Sequence, residues 1–399
     1  MEAFQDLVHS GKINIDYLTT HIFKLEDAPK AYDMILNRTD PHLGILIEYD
    51  VSKDELSRKI FIAPYTSHLT PNALNIAFVG AGSYAQSHLL PNIPKDNAIA
   101  LQGVMTSSGA TSRTVAEKYK FQFCTSNESD IFDNSEINTV FVATRHNTHA
   151  DYVIKALKAG KNVFVEKPLC LTLEELNEIE SVYSSLNTQH SSLPLLMVGF
   201  NRRFSPLATV LKEKVGNSPM SMIYRINAGA IPADSWMQDK EIGGGRIIGE
   251  VCHFIDFLTF INGSLPTQVF ATALPNPANV QDTLNINLEF HNGSIGTISY
   301  FSNGSKSLNK EYIEIYTSGT TAVLKDFKQL KIYGGRIDFS KRLFIQEKGQ
   351  KEMMRTFLDV IKKGQMPPIT FEEIYAVTLA TFKILDSLRT KTVVKITRS

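Results

Sequence analysis

Residues 71–200 alternate short, β-branched apolar runs with segments of helical period, and no other feature narrows the folds open to this chain as much. The runs are 75–79, 98–104, 139–143, 162–165 and 195–198, and between them 112–119, 149–159 and 173–186 repeat apolar residues at helical spacing. Strands apolar on both faces must be covered on both faces, and βαβ crossovers are what place helices there. The segment therefore predicts an α/β domain with a parallel sheet between helices and right-handed crossovers.

Beyond about residue 218 the period changes. Runs 220–227, 268–274, 283–290, 295–301, 311–317 and 329–333 are longer, and many alternate polar with apolar residues. That pattern predicts a large, mostly antiparallel open sheet with one face packed on helices. Asn292-Gly293 between two of the runs predicts a type I′ hairpin, because both residues tolerate positive φ. Helices are predicted at 351–363, closed by Gly364, and at 371–388, which makes the second domain α+β in character. Residues 1–70 offer helices at 2–10 and 25–36 and a lone strand at 43–49, too little to bury a core unaided. That part must lean on something.

Charge and cysteine content exclude several classes. The 41 Lys and Arg balance 41 Asp and Glu without a long basic run, which removes the footprint expected of a nucleic-acid binder. The opening MEAFQDLVHSG lacks a basic and an apolar leader region, and the longest apolar stretch, 193–200, is far too short to cross a bilayer. A cytoplasmic protein with no membrane partner is expected. Cys124, Cys170 and Cys252 are odd in number and widely spaced, which fits small buried hydrophobes better than disulfides or zinc ligands. His146 and His149 have no Cys or carboxylate at ligand spacing, so no metal is expected.

Chemistry is carried by a few local motifs. Gly80-Ala81-Gly82-Ser83-Tyr84-Ala85 follows a predicted strand and opens a helical segment. In this G-x-G-x-x-A pattern the first Gly permits a tight turn and the second lets the backbone approach a pyrophosphate. Ala85 in the third place allows close packing of helix on strand, and the helix N-terminus favours the anion. An acidic residue for the adenosine ribose 2′-hydroxyl is expected about 20 residues on. The chain instead carries Met105-Thr106-Ser107-Ser108 and then Arg113. With no carboxylate to repel a 2′-phosphate, and Ser107, Ser108 and Arg113 able to donate to one, NADP is slightly favoured over NAD. The alternative is that Arg113 is only a solvated helix residue.

Glu166-Lys167-Pro168 follows the run 162–165, at the carboxyl end where open α/β sheets place ligands. A Lys there can donate to an oxygen that gains charge as hydride leaves or arrives, and partial desolvation would make it a usable base. Pro168 permits a cis peptide that would set the direction of Lys167, although an exposed Glu–Lys pair is the plainer alternative. Gly243-Gly244-Gly245 leads into a helical pattern over 246–260 bearing Glu250, His253 and Asp256. Residues three apart lie about 60° apart around a helix, so both carboxylates are expected to flank His253 and raise its basicity. The alternative there is a satisfied core histidine. Gly199-Phe200-Asn201-Arg202-Arg203-Phe204 lies at the domain junction, where paired arginines either hold phosphate or carboxylate or form ordinary ion pairs.

In their order and spacing across residues 74–399, these motifs, together with Ala143-Thr144 and His149, resemble the Gfo/Idh/MocA oxidoreductase family. The resemblance implies an NAD(P)-binding Rossmann domain over 74–200. It also implies a C-terminal domain over 201–399 whose open sheet carries the substrate site and a homo-oligomer interface. Lys167 and His253 would serve the hydroxyl oxidised or the carbonyl reduced, with Asn201, Arg202, Trp236, Arg246 and Glu250 on the substrate side. Gly80, Gly82, Ser83, Tyr84, Ala85, Thr106, Ser107, Arg113, Thr144, His149, Glu166 and Lys167 would line the cofactor. Family substrates are usually polyols, sugars or nucleotide sugars, so the expected reaction is hydride transfer between NAD(P) and a CH–OH carbon of such a molecule. A non-catalytic dinucleotide-binding regulator or half of a split enzyme is one alternative. Redox-neutral elimination or glycosidic cleavage with a recycled cofactor is another.

One position departs from the family pattern. Many dehydrogenases of this family carry Asp or Asn four residues before the His, where this chain has Gly249. Either Glu250 substitutes, or the missing side chain makes room for a substrate group, or proton transfer is weaker. Residues 1–50, around 18–21 and 31–32, resemble the C-terminal end of a zinc-type medium-chain alcohol dehydrogenase, and 51–73 would be an old interdomain linker. Without that enzyme's zinc ligands or cofactor loop, no activity carries over.

Overall fold

In the computed structural model, residues 2–49, 58–62, 73–187, 193–232, 234–275, 282–334 and 338–398 are described, and the chain divides into the units Met1–Arg58 and Lys59–Ser399. The first unit contains α1 (Glu2–His9), β1 (Thr19–Lys24), α2 (Ala28–Asn37) and β2 (Gly44–Glu48). The strand expected to be alone has a partner, since β1 and β2 pair in parallel. β1 escapes a sequence reading because TTHIFK alternates only half-buried with exposed positions. The crossover helix α2 carries Pro29 in its first turn, buries Ala31 and Met34, and stops where Arg38 turns left-handed.

The second unit begins with β3 (Lys59–Phe61), β4 (Leu74–Val79), β5 (Ile99–Met105), α3 (Gly109–Tyr119), β6 (Phe123–Thr125) and α4 (Ser129–Phe132). It continues with β7 (Thr139–Val142), α5 (His149–Lys158), β8 (Asn162–Val165), α6 (Leu173–Asn187) and β9 (Leu196–Val198). The sheet order is β3-β6-β5-β4-β7-β8-β9, parallel throughout except for β3, which runs antiparallel to β6 at the edge. Part of the stretch read as a linker thus supplies an edge strand; 51–57 and 63–72 lie outside the described residues. β4 and β7 are buried along their whole length, as strands covered on both faces must be. Strand order reverses between β4 and β7, so the connections that leave them run to opposite sides of the sheet and open a crevice at their carboxyl ends.

The remainder contains α7 (Pro206–Val215), β10 (Ser221–Asn227), α8 (Cys252–Asn262), β11 (Pro266–Ala273), β12 (Thr283–Phe290), β13 (Ile295–Phe301) and β14 (Glu311–Thr317). It ends with β15 (Thr320–Lys325), β16 (Gln329–Tyr333), β17 (Phe339–Arg342), α9 (Gln350–Lys363), α10 (Phe371–Thr390) and β18 (Val394–Lys395). These strands form one sheet in the order β17-β16-β15-β14-β10-β13-β12-β11-β18, antiparallel except for the β10–β13 pair. Leu284, Ile286, Leu288 and Phe290 of β12 face the core, whereas Asn285, Asn287 and Glu289 lie on the open face. α7 packs on β15 and β16, α8 on β13 and α10 on β11.

Two local expectations need correction. The hairpin at Asn292-Gly293 forms, but only Gly293 has positive φ, 81°. Its N–H donates to Phe290 O while the Phe290 N–H donates to Ser294 O, so the connection is wider than a type I′ turn, with Gly293 as a bulge. The helix expected over 246–260 opens as a π-turn over Ile247–Val251 before becoming α8, which shifts the angular register of the residues preceding His253.

Candidate functional site

The crevice is built around two glycines with different tasks. Gly80 ends β4 at φ 84°, and a Cβ there would lie 2.5 Å from Ala143 O and 2.7 Å from Thr144 Cγ2, so only glycine lets the turns after β4 and β7 close on each other. At Gly82 a Cβ would meet nothing within 4 Å, which leaves the space a pyrophosphate approach requires. Ala85 is buried beneath the turn. The helical segment that starts at Ser83 is short: it passes through a π-turn at Ala85–Leu89 into a 3-10 turn at Leu90–Asn92 that contains Pro91. Tyr84 stacks on His88 with ring centroids 4.8 Å apart. After β5, Thr106 donates to Ser108 O at 2.7 Å, Ser107 is exposed, and exposed Arg113 donates from Nε to Glu117 at 2.9 Å.

Across the switch point, His149 ties two turns together. Its Nδ1 donates to Pro168 O at 2.7 Å and its Nε2 lies 3.3 Å from Thr144 O. Complete burial pushes its pKa down to about 4, so the ring is neutral. The Lys167–Pro168 peptide is cis, and Lys167 Nζ donates to Gly249 O at 2.9 Å. Glu166 is buried with Oε1 unpartnered, and a Cβ on Gly199 would stand 2.8 Å from that oxygen. Burial pushes its pKa up to about 7 against the opposing pull of Lys167. A buried carboxyl with a free acceptor at the end of β8 has the chemistry of a group whose partner comes from a ligand.

His253 is also buried, and its Nδ1 makes no hydrogen bond. Burial, then the charges of Arg202 and Lys167, push its pKa well below the usual histidine range. The carboxylates expected at its sides are bound elsewhere. Glu250 accepts from Lys310 Nζ at 2.5 Å, from the Tyr300 hydroxyl and from Arg246 Nη2 at 3.3 Å. Burial by itself would raise Glu250, but Lys310 outweighs it and the pKa stands at about 2. Asp256 receives Arg203 Nη2 at 2.5 Å and Nε at 3.1 Å. The π-turn is the geometric reason that Glu250 faces the sheet rather than His253.

The arginines are structural ties rather than free anion clamps. Arg202 is bidentate on Glu311 at 2.7 and 3.1 Å, and Glu311 also accepts from Lys348 at 2.7 Å and from the Tyr224 hydroxyl. Arg203 bridges Asp256 and Glu373, while Arg246 Nη1 donates to Gly229 O at 2.7 Å. Guanidinium groups this deeply buried require a paired carboxylate, and these have one. Asn201 Nδ2 donates to Lys348 O at 2.8 Å and holds the segment before α9.

No local motif marks His146, Tyr300, Lys310, Glu311 or Lys348. His146 is buried, its Nδ1 lies 2.8 Å from Gly243 O, and its ring meets Trp236 edge-on at 4.8 Å. Trp236 in turn has the Arg145 guanidinium 5.9 Å from its ring. No local pattern reports a contact between residues 97 apart; the isolated Gly249 was the one signal. Among the described residues no three His, Cys, Asp or Glu side chains gather as metal ligands, and no helix is long and apolar enough to cross a membrane.

A glycine-turn crevice at the switch point of a parallel sheet, with a lysine from that sheet's own carboxyl edge and a histidine brought by an open-sheet domain, defines a dinucleotide-binding α/β protein with a second, site-completing domain. Residues 74–191 match the model of the oxidoreductase family with NAD-binding Rossmann fold, and 220–323 match the GFO/IDH/MocA C-terminal domain. The chain belongs to the Gfo/Idh/MocA family of oxidoreductases. It is 26% identical over 227 residues to the uncharacterized oxidoreductase YrbE of Bacillus subtilis, covering 55% of this chain and 64% of that one. It is 25% identical over 343 residues to myo-inositol 2-dehydrogenase of Thermotoga maritima, covering 81% and 98%. Its fold is similar to that of levoglucosan dehydrogenase in complex with NADH and levoglucosan, at a TM-score of 0.70 and 21% identity over 82% of this chain and all of that one.

Proposed function

We propose that this protein is an NAD(P)-dependent dehydrogenase that moves hydride between the cofactor and a CH–OH carbon of a sugar, polyol or nucleotide sugar. The observation that carries this reading is a Lys167 ammonium anchored on Gly249 O beside the unpartnered Nδ1 of buried His253 and the unpartnered Oε1 of Glu166. Relatives named for myo-inositol and levoglucosan support the substrate class. The turn Gly80, Gly82 and Ser83 would hold the pyrophosphate, with Thr106, Ser107 and Arg113 toward the adenosine and Tyr84, Thr144, His149 and Glu166 toward the nicotinamide half. When bound, the nicotinamide supplies the hydride acceptor or donor.

Lys167 has three N–H groups and gives one to Gly249 O, so it can donate to a substrate oxygen and stabilise the charge that grows there. Neutral His253 can accept the hydroxyl's hydrogen bond and share the proton with Lys167. No carboxylate stands at residues 106–108, which supports acceptance of NADP as well as NAD, although Arg113 spends part of its charge on Glu117. Titration with NADH and NADPH should give a binding signal. Lys167→Ala should abolish turnover while leaving cofactor affinity unchanged, and an unchanged rate would remove Lys167 from the chemistry. Net accumulation of reduced cofactor separates dehydrogenation from redox-neutral cleavage.

Three wider readings have support of their own. Ile295, Tyr316 and Tyr333 are exposed on the open sheet face in one register row, which supports a homo-oligomer formed through that face. Three buried free thiols support a reducing, cytoplasmic setting. The parallel β1-α2-β2 unit supports descent of residues 1–50 from the end of a medium-chain dehydrogenase.

A further inference from the structure

Gly249 and His146 are sterically coupled. A Cβ on Gly249 would stand 3.0 Å from His146 Cε1 and 3.3 Å from its Nδ1, so the imidazole takes the space that any larger residue at 249 would need. On the other side of the same glycine, Lys167 Nζ donates to its carbonyl at 2.9 Å. The ammonium proposed to act on substrate and the imidazole of His146 thus share one backbone residue. Glu250, the neighbouring acid, is committed to Lys310, Tyr300 and Arg246 and does not fill that space.

The tautomer of His146 follows from its partner. A carbonyl oxygen only accepts, so the 2.8 Å contact with Gly243 O requires Nδ1 to carry the hydrogen. A neutral ring then bears a lone pair on Nε2. Burial, reinforced by the charge of Lys167, pushes its pKa down to about 3, so the ring keeps that lone pair at neutral pH. Edge-on packing against Trp236 fixes the ring plane. A ring present only to fill space would have no need of this arrangement.

We propose that His146 is a substrate-orienting residue whose Nε2 accepts a hydrogen bond from a hydroxyl adjacent to the one handled by Lys167 and His253, with Gly249 the residue that admits it. The class selected is a vicinal diol within a polyol or sugar ring, in preference to an isolated alcohol. This inference rests on the dehydrogenase function proposed above.

The test uses the full chain with NAD and NADP against myo-inositol, glucose and UDP-glucose, each beside a deoxy analogue that lacks one neighbouring hydroxyl. His146→Phe keeps a ring against Trp236 and removes Nε2, whereas His146→Gln returns an amide acceptor; Gly249→Ala displaces the imidazole by its added methyl while leaving His146 itself in place. For the parent diol, His146→Phe and Gly249→Ala should each lower kcat/KM about tenfold, mainly through KM, which is what one lost hydrogen bond costs. The deoxy analogue should lose little, His146→Gln should recover part of the loss, and NADH affinity by fluorescence should stay within about twofold of wild type. An unchanged preference for the parent over the deoxy analogue in His146→Phe overturns the inference while the dehydrogenase reading stands. A parallel loss of NADH affinity also overturns it, because His146 would then merely support the crevice. A wild-type protein that binds NADH and oxidises none of these substrates overturns the dehydrogenase reading, and this inference with it.

Discussion

Replacing Glu166 by Gln should remove one component of the pH dependence of stability. The carboxyl is 7% exposed, its Oε1 has no partner, and burial moves it from 4.5 to about 7. A group whose folded pKa is raised contributes stability that is fully present below the unfolded value, here 4.5, and is lost as pH rises through about 7. Roughly 2.5 pH units at about 1.36 kcal/mol each amount to ~3 kcal/mol. For a unit of about 340 residues, unfolding entropy is about 0.7 kcal/mol/K, so the loss corresponds to roughly 4 °C in Tm. Glutamine keeps the shape and stays neutral. The stability of Glu166→Gln relative to wild type should therefore rise by ~3 kcal/mol between pH 4.5 and 8. Urea unfolding at a series of pH values, followed by the fluorescence of Trp236, the single tryptophan, measures both proteins, and their difference cancels the other titrating groups. A difference that stays flat with pH would show that the carboxyl is hydrated in the folded protein and would refute the reasoning.

Acid should act in the opposite direction through the histidines. His146 and His149 have folded pKa values lowered to about 3 and about 4, so their contribution is present above 6.5 and is lost as pH falls through those values. Unfolding near pH 5 should take up a proton at each, visible as a stability slope of about 1.4 kcal/mol per pH unit per histidine that His149→Gln reduces by one histidine's share. Glu311→Gln leaves buried Arg202 and Lys348 without their carboxylate and should cost roughly 3–5 kcal/mol; an unfolding midpoint equal to wild type would refute that account of the pair.

The parallel sheet was legible because each of its longer strands is a short apolar run between turn signals, and β4, β5, β7, β8 and β9 begin and end within a residue or so of the predicted runs. Shorter or less regular strands were not. β6 reads FCT, β17 FSKR and β1 TTHIFK, none of which is an apolar run or holds a recognisable period, whereas the equally short β9 lies in the apolar run 195–198. In the site, Gly80, Gly82, Glu166 and Lys167 were legible because their tasks are local: a positive φ, an open approach, the end of a strand. The expected carboxylate flanks of His253 do not form: Glu250 lies in a segment that folds as a π-turn rather than an α-helix, and Asp256, on the regular helix, is taken by Arg203.

By itself, then, the sequence determined the two-part architecture, the glycine turn and the lysine at the carboxyl edge of the sheet, since dihedral preference and periodicity are properties of neighbours along the chain. Only the tertiary structure decided the partners. Arg202 finds Glu311 across 109 residues, Arg203 finds Asp256 across 53, and His146 closes on Gly249 from a different domain. Buried charges are matched by distance in space, where a low dielectric penalises any that stay unpaired, and separation along the chain does not enter that energy.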